Sequence, residues 1–392
     1  MQACHAIAVG EGDWQMKKPQ LLLHIGSFKT GTTALQDALA AKSGVLAGNG
    51  VLYHGWQDDG LNRNHSFIAA LLLTEEGRGR AGRYFSELAH ECHRLGAGRA
   101  IVSAEGFYSL EFVDMERWAV KQAVRREEFF RSRREYIQRL QDSIANRFDI
   151  KVIVYLRRQD YFLNSLYNQL VKDVFGYTGT IRDFVEGWGV LADYASLLDL
   201  WAEAFGADAL MVRVYEKQQQ QSLDVVSGFF TDVLGFDGVK VPGHQPPLTH
   251  RDNLALPRDI LEYKRVVNRL SSELSFEDRK TLRDDLIRLA SRVREVRGLN
   301  ILLSPAERVT LLSEHEKGNQ HVARRYLGSA EPLFTEPPPA LDMPYTEYPG
   351  LSVERSVEIG VALSLLDERR VRTETQALRE GLMKRWRRVL LG

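Results

Sequence analysis

Fifteen residues near the start constrain this chain more than any other stretch: Leu21-Leu22-Leu23-His24-Ile25-Gly26-Ser27-Phe28-Lys29-Thr30-Gly31-Thr32-Thr33-Ala34-Leu35. An apolar run stops at a glycine. A short loop follows with one lysine, a second glycine and three threonines, and a helix-forming run begins at Ala34. This is the layout of a buried strand, an anion-cradling loop and a helix N-terminus. The first backbone N–H groups of a helix have no partner within it, and the helix dipole puts partial positive charge there. Glycine lets the backbone approach an anion closely. Lys29 adds a full charge and the threonines add hydroxyl donors. The nucleotide-kinase loop G-x-x-x-x-G-K-[ST] carries its lysine directly after the second glycine. Here Lys29 lies two residues before Gly31, and Thr32 stands where that lysine would be. The loop is phosphate-binding in style and a poor match to an ATPase.

The rest of the chain predicts what this loop sits on. Strands are expected at about 20–25, 99–105, 150–156 and 209–214. Helices are expected at about 32–42, 62–73, 82–95, 160–173, 181–187, 194–205 and 221–234. The stretch 44–50 reads as a glycine-rich turn, and 114–148 as a long, arginine-rich helical segment with a solvated face. Ile150-Lys151-Val152-Ile153-Val154-Tyr155-Leu156 is β-branched, apolar and short, as a buried parallel strand should be. Strands alternating with helices predict an α/β fold with a central parallel sheet flanked by helices. Such sheets bind ligands beyond the carboxyl ends of their strands. The loop after Gly26, Glu105 and Arg157 all fall at such ends, so they are expected to share one crevice.

Beyond Pro242 the pattern is mostly helical, with helices expected at about 259–270, 275–297 and 305–327. Residues 332–349 hold six prolines, and 352–391 read as an appended helical tail. The expected organisation is a tail over 1–19, an α/β domain over 20–331, a proline-rich connector over 332–350 and a helical extension over 351–392. Lys+Arg and Asp+Glu both number 52, so the net charge is zero and nothing global points to nucleic acid. Two cysteines, Cys4 and Cys92, exclude a disulfide framework and a zinc-ligand pattern. The first 18 residues include Glu11 and Asp13 with no long apolar core, unlike a secretory signal. No run approaches the ~18 apolar residues of a spanning helix. These features together predict a cytoplasmic protein without a transmembrane segment.

Arg157 ends the best strand, and Ser165 follows eight residues later on the next helix. The pair can reach one phosphate, the arginine as a bidentate fork and the serine as one more donor. With this second anchor, the sequence resembles the sulfotransferases that use 3′-phosphoadenosine 5′-phosphosulfate (PAPS), and among them bacterial members with a P-loop-like fold. Phe28-Lys29-Thr30-Gly31-Thr32-Thr33 is similar to that family's 5′-phosphosulfate loop. Val154-Tyr155-Leu156-Arg157-Arg158 through Ser165-Leu166-Tyr167 is similar to its 3′-phosphate element, with the same gap from arginine to serine. Segments like Asp193-Tyr194 to Gly206, Val212-Arg213-Val214-Tyr215-Glu216 and Asn319-Gln320-His321-Val322-Ala323 also recur there. The resemblance covers roughly residues 20 to 330.

The resemblance implies transfer of a sulfuryl group from PAPS to a hydroxyl, or less readily an amine, of a carbohydrate or small metabolite. The products would be adenosine 3′,5′-bisphosphate and a sulfated acceptor, with no metal required. It places the nucleotide on Ser27, Phe28, Lys29, Thr30, Gly31, Thr32, Thr33, Arg157 and Ser165. Tyr215 is a further candidate. Lys29 would stabilise charge building on the leaving oxygen. The general base would be Glu105, in Ser103-Ala104-Glu105, or else His65, in Asn64-His65; each also has a plain reading, as a solvated strand-end carboxylate and as a packing histidine. His24, inside the first strand, is expected in the core. The sequence departs from the family at two places. Ala34 stands where an aromatic residue often stacks on adenine, and no Arg-Lys-Gly phosphate loop is evident, leaving Arg251 to serve instead. The tail mixes Arg379, Lys384, Arg385, Arg387 and Arg388 with Leu382, Trp386, Leu390 and Leu391. It is expected to act in docking or homo-oligomer contact, or to lie on a membrane surface. Two other readings remain at this stage: a P-loop kinase and a non-catalytic nucleotide-binding module.

Overall fold

The computed structural model describes residues 17–53, 64–110, 112–114, 119–216, 225–236, 255–291 and 301–366. Five parallel strands form the central sheet: β1 (Gln20–His24), β2 (Val51–Leu52), β3 (Arg99–Ser103), β6 (Asp149–Arg157) and β7 (Leu210–Tyr215). Their order is β2-β3-β1-β6-β7. A separate antiparallel ribbon joins β4 (Val113–Asp114) to β5 (Ala119–Val120). The helices in chain order are α1 (Thr32–Ala41), α2 (Ser43–Gly48), α3 (Ser66–Leu71), α4 (Glu75–Leu95), α5 (Arg126–Ile144) and α6 (Gln159–Lys172). They continue with α7 (Ile181–Trp188), α8 (Tyr194–Phe205), α9 (Val225–Gly228), α10 (Arg258–Val267), α11 (Phe276–Ala290) and α12 (Pro305–Leu327), and then α13 (353–366).

The strands are buried on both faces because their residues alternate between two apolar layers. Leu22, Ile101 and Ile153 face one layer, with Leu35 and Leu39 of α1 and with Phe229 and Phe230. Leu21, Leu23, Val102, Val152 and Val154 face the other, which takes in residues of α4, α5, α6 and α8. Helices therefore cover both sides, as the strand pattern predicts. Chain connections run from β1 towards β3 on one side and through β6 to β7 on the other. The switch point lies between β1 and β6, which pair in parallel from Gln20↔Asp149 to His24↔Ile153.

Several expectations from the sequence change in detail. Residues 43–48 are helical rather than a turn. Leu46 anchors that helix in the core, and the chain reverses afterwards at Gly50, whose φ is 68°. The strand before Glu105 ends at Ser103, and Glu105 opens a short 3₁₀ turn. The long helix expected from 114 begins only at Arg126. Before it, Phe112, Val113 and Val120 are buried and pin the β4–β5 ribbon. α12 spans the residues its sequence indicates, with a capping box at Ser304 and Glu307 and Pro305 in the first turn.

The proline-rich segment is packed onto the domain rather than free of it. Leu333 and Ile359 are buried in the main core. Tyr345 Oη donates to Leu302 O at 3.2 Å, and Tyr348 Oη donates to Asp259 at 2.9 Å. No helix among the described residues is long and apolar enough to cross a membrane. The N-terminal 16 residues, Arg251 and the basic stretch after 366 lie outside the described residues.

Candidate functional site

The loop after β1 is built by three left-handed backbone positions: Gly26 (φ 48°), Lys29 (φ 65°) and Gly31 (φ 84°). Lysine in this region costs about 1 kcal/mol or more and persists only when its surroundings hold it there. Two side chains do the holding from beneath. Ser27 Oγ donates to Tyr155 O at 2.5 Å, and Thr30 Oγ1 donates to Ser27 O at 2.7 Å. Both residues are buried, and neither side chain lines the cavity in front of the loop. Arg157 braces the loop from β6, its Nη1 donating to Lys29 O at 3.2 Å. Gly31 is the N-cap of α1, which no side chain caps.

That cavity holds about 510 Å³. Its polar lining includes Lys29, Thr32, Thr33, Glu105, Arg157, Ser165, Gln169, Asp173 and Tyr215. The fold therefore brings three distant segments, near residues 29, 105 and 157, to one crevice at the switch point. Phe28, Gly31 and Ala34 line it as well. The Arg157 guanidinium sits 5.7 Å from the Tyr215 ring centre and 5.8 Å from that of Tyr161, within cation–π range.

Charge and burial act against each other here. Burial pulls the Lys29 ammonium below its ordinary pKa, with Glu105 opposing and Arg157 reinforcing the shift. Burial raises the Glu105 carboxyl, while Thr32 and the Lys29 charge and backbone N–H hold it back. The Thr32 hydroxyl lies beside that carboxyl without a hydrogen bond of regular geometry. Gly26 keeps this contact tight. A Cβ on it would sit 3.1 Å from Thr32 Oγ1 and 3.5 Å from Glu105 Cγ.

The two arginines at the β6–α6 junction, the last residue of β6 and the N-cap of α6, have separate tasks. Arg157 faces the cavity. Arg158 is buried and turns away, forming a forked ion pair with Asp160 at 2.8 and 2.9 Å. Arg308 of α12 meets the same carboxylate at 2.6 and 2.9 Å. Burial works against ionising Asp160, but the two guanidinium groups hold its carboxyl below the usual range.

Other candidate residues are placed elsewhere. His65 is fully buried and does not line the cavity; its Nδ1 accepts from Ser103 N at 3.1 Å, and its ring meets Tyr53 and Tyr84 edge-on. His24 is a core residue, bonded through Nδ1 to Ser103 Oγ at 2.8 Å and pushed down to about 3 by burial. Sequence reasoning missed Gln169, Asp173 and an apolar wall around Leu110 and Phe175. The spacing Ser165, Gln169, Asp173 follows one face of α6 and could have pointed to the first two. Nothing local marks Leu110, because the β4–β5 ribbon brings it there. A second cavity, of about 630 Å³, is lined in part by Arg126, Asp193, Tyr194 and His315 and contains none of the predicted site residues.

No family model matches the chain, and no solved structure matches it. An uncharacterized protein of Archaeoglobus fulgidus is 28% identical to it over 185 residues, 46% of this chain and 46% of that protein. The chain thus matches less than half the length of this relative, whose description carries no activity to compare with the site.

Proposed function

We propose that the chain is a PAPS-dependent sulfotransferase. The observation that carries the reading is the meeting of Lys29, Glu105, Arg157 and Ser165 around one cavity at the β1–β6 switch point. PAPS has two anionic ends, and the cavity offers two cations, Lys29 in the β1–α1 loop and Arg157 at the end of β6. The loop with Lys29, Gly31, Thr32 and Thr33 would take the 5′-phosphosulfate. Arg157 and Ser165 would take the 3′-phosphate. Tyr215 lies beside both Gly31 and Arg157 and would contact the nucleotide.

In the transfer, the acceptor oxygen forms a bond to sulfur as the bond from sulfur to the bridging oxygen breaks. The electron pair of that bond stays on the 5′-phosphate, leaving adenosine 3′,5′-bisphosphate. Lys29 and the loop N–H groups stabilise the charge developing there. Glu105 takes the acceptor's proton. Its raised pKa suits a general base better than an ordinary carboxylate would. His65 is too deep in the core, bonded to Ser103, to compete for that role.

The test is sulfate transfer from labelled PAPS, with binding measured separately. Lys29→Ala is expected to lower kcat/KM by ~10²–10³-fold. Glu105→Gln should lower kcat by ~10²–10⁴-fold while leaving the affinity for adenosine 3′,5′-bisphosphate nearly unchanged. The kcat–pH profile should fall on the acid side at a pH above the ordinary glutamate range, because only ionised Glu105 accepts the proton and its pKa is raised. Tighter binding of ATP–magnesium than of adenosine 3′,5′-bisphosphate would sink the proposal.

A further inference from the structure

We infer that the second cavity, of about 630 Å³, is a separate site for a small organic cation, an ammonium group carried on an apolar body. The inference stands apart from the sulfuryl-transfer reading, because the two cavities share no lining residue. This one lies among α7, the short turn that follows it (Gly189–Ala192), the start of α8 and the middle of α12. Its walls are tied without help from a ligand. Arg182 of α7 donates to Glu307 of α12 at 2.6 Å, and Gln159 of α6 donates to Asn319 of α12 at 2.6 Å. Tyr108 Oη donates to Leu191 O in the turn at 2.7 Å. The space is therefore built by the packing of helices.

Charge decides the class of ligand. The lining holds one guanidinium, Arg126, against three carboxylates, Glu186, Asp193 and Glu314. Arg126 is already committed. It pairs with Asp193, reaches Ser196 Oγ at 3.2 Å and lies 4.8 Å from the Phe130 ring centre. Asp193 in turn caps α8, accepting from Ser196 N at 3.1 Å. That leaves Glu186 of α7 and Glu314 of α12, neither of which makes a hydrogen bond or an ion pair among the described residues. His315 adds a further acceptor. Leu311 O can only accept, so the bond to it at 2.9 Å puts the proton of the neutral ring on Nδ1 and leaves Nε2 with a lone pair. Two carboxylates and an imidazole nitrogen are the complement of an ammonium, which has three donors and no acceptor. A carboxylate or phosphate ligand would meet like charge instead. Val185, Val190 and Leu311 supply carbon wall beside these groups, and an apolar body gains by leaving water against them. Glu186 and Glu314 are exposed, so salt screens their share of the binding and spares the apolar share.

The experiment titrates the full chain, at neutral pH and low salt, with three probes of one shape: phenethylammonium, 2-phenylethanol and phenylacetate. The ammonium is expected to bind ~5–20-fold more tightly than the alcohol, and the carboxylate most weakly. Glu186→Gln and Glu314→Gln should each weaken the ammonium ~2–5-fold and leave the alcohol within about 2-fold. Thermal unfolding should stay unchanged in both variants, which shows that they are folded, because neither carboxylate is bonded within the protein. Raising the salt to about 0.5 M should bring the affinity of the ammonium towards that of the alcohol. Equal affinity for all three probes, tighter binding of phenylacetate, or an ammonium affinity unchanged in both variants overturns the inference.

Discussion

Arg157 and Arg158 are adjacent, chemically identical and equally legible in the sequence, yet one faces the cavity and the other is locked to Asp160. β6 ends at Arg157 and Arg158 is the N-cap of α6, so the turn from strand to helix sends the two side chains apart. Which one receives a ligand depends on what packs behind the other, here Arg308 from 150 residues away. The same holds for histidine. His24 is apolar-flanked in the sequence, and its depth comes from Tyr155 and Phe229, whose rings meet it at 5.8 and 6.1 Å. Burial lowers its pKa to about 3, so the unfolded chain binds a proton that the folded chain refuses. The stability it contributes is full above about pH 6.5 and is lost as pH falls towards 3, by up to about 1.4 kcal/mol per pH unit. His24→Asn should flatten the acid limb of unfolding free energy against pH between about 6 and 4.5, measured by urea denaturation. An unchanged slope would show that His24 is protonated in the folded protein.

The element with the largest gap between sequence and structure is the proline-rich segment. Six prolines between helices read as a connector. In the fold it is a strap across the ends of β6 and β7. Glu216 accepts from Thr335 N at 2.7 Å, Thr335 Oγ1 at 2.5 Å and Glu336 N at 3.0 Å. Arg158 Nη1 donates to Glu336 O and Pro337 O at 3.0 and 2.8 Å. Arg158 and Glu216 each adjoin a cavity residue, Arg157 and Tyr215. Proline removes backbone donors and stiffens the chain, so this segment can cross a surface in extended form at low entropic cost, with its carbonyls left for Arg158. Glu216→Gln keeps the shape and removes the charge that strengthens three bonds. It is expected to cost about 1–3 kcal/mol of stability and to weaken adenosine 3′,5′-bisphosphate by ~3–10-fold through loss of alignment. Thermal unfolding and calorimetry check the two effects separately. Loss of stability with full nucleotide affinity would mean that the strap supports the fold without orienting the site.

For the molecule as a whole, binding and stability are linked. On the proposed function, the nucleotide bridges the β1 loop and the β6–α6 element and so would bind only the folded sheet. At about 100 times its Kd it should stabilise the protein by about 2.7 kcal/mol, visible as a rise in Tm by a few degrees. The rise should shrink in Arg157→Ala, because the proposed fork on the 3′-phosphate is removed. An equal rise with adenosine 5′-phosphate would argue that the 3′ anchor is not used.

The alternation of strands and helices and the positions of Lys29 and Arg157 near strand ends were legible in the chain, because the buried apolar runs and the glycine–lysine–threonine loop are local patterns. So were the caps of α12, which depend on neighbours three residues apart. The tertiary structure alone decided what no local pattern encodes. It set the strand order that puts Glu105 beside Lys29, the split between Arg157 and Arg158, the strap, and the entry of Leu110 and Phe175 into the cavity lining. Each of these joins residues separated by tens to hundreds of positions, and only packing specifies such contacts.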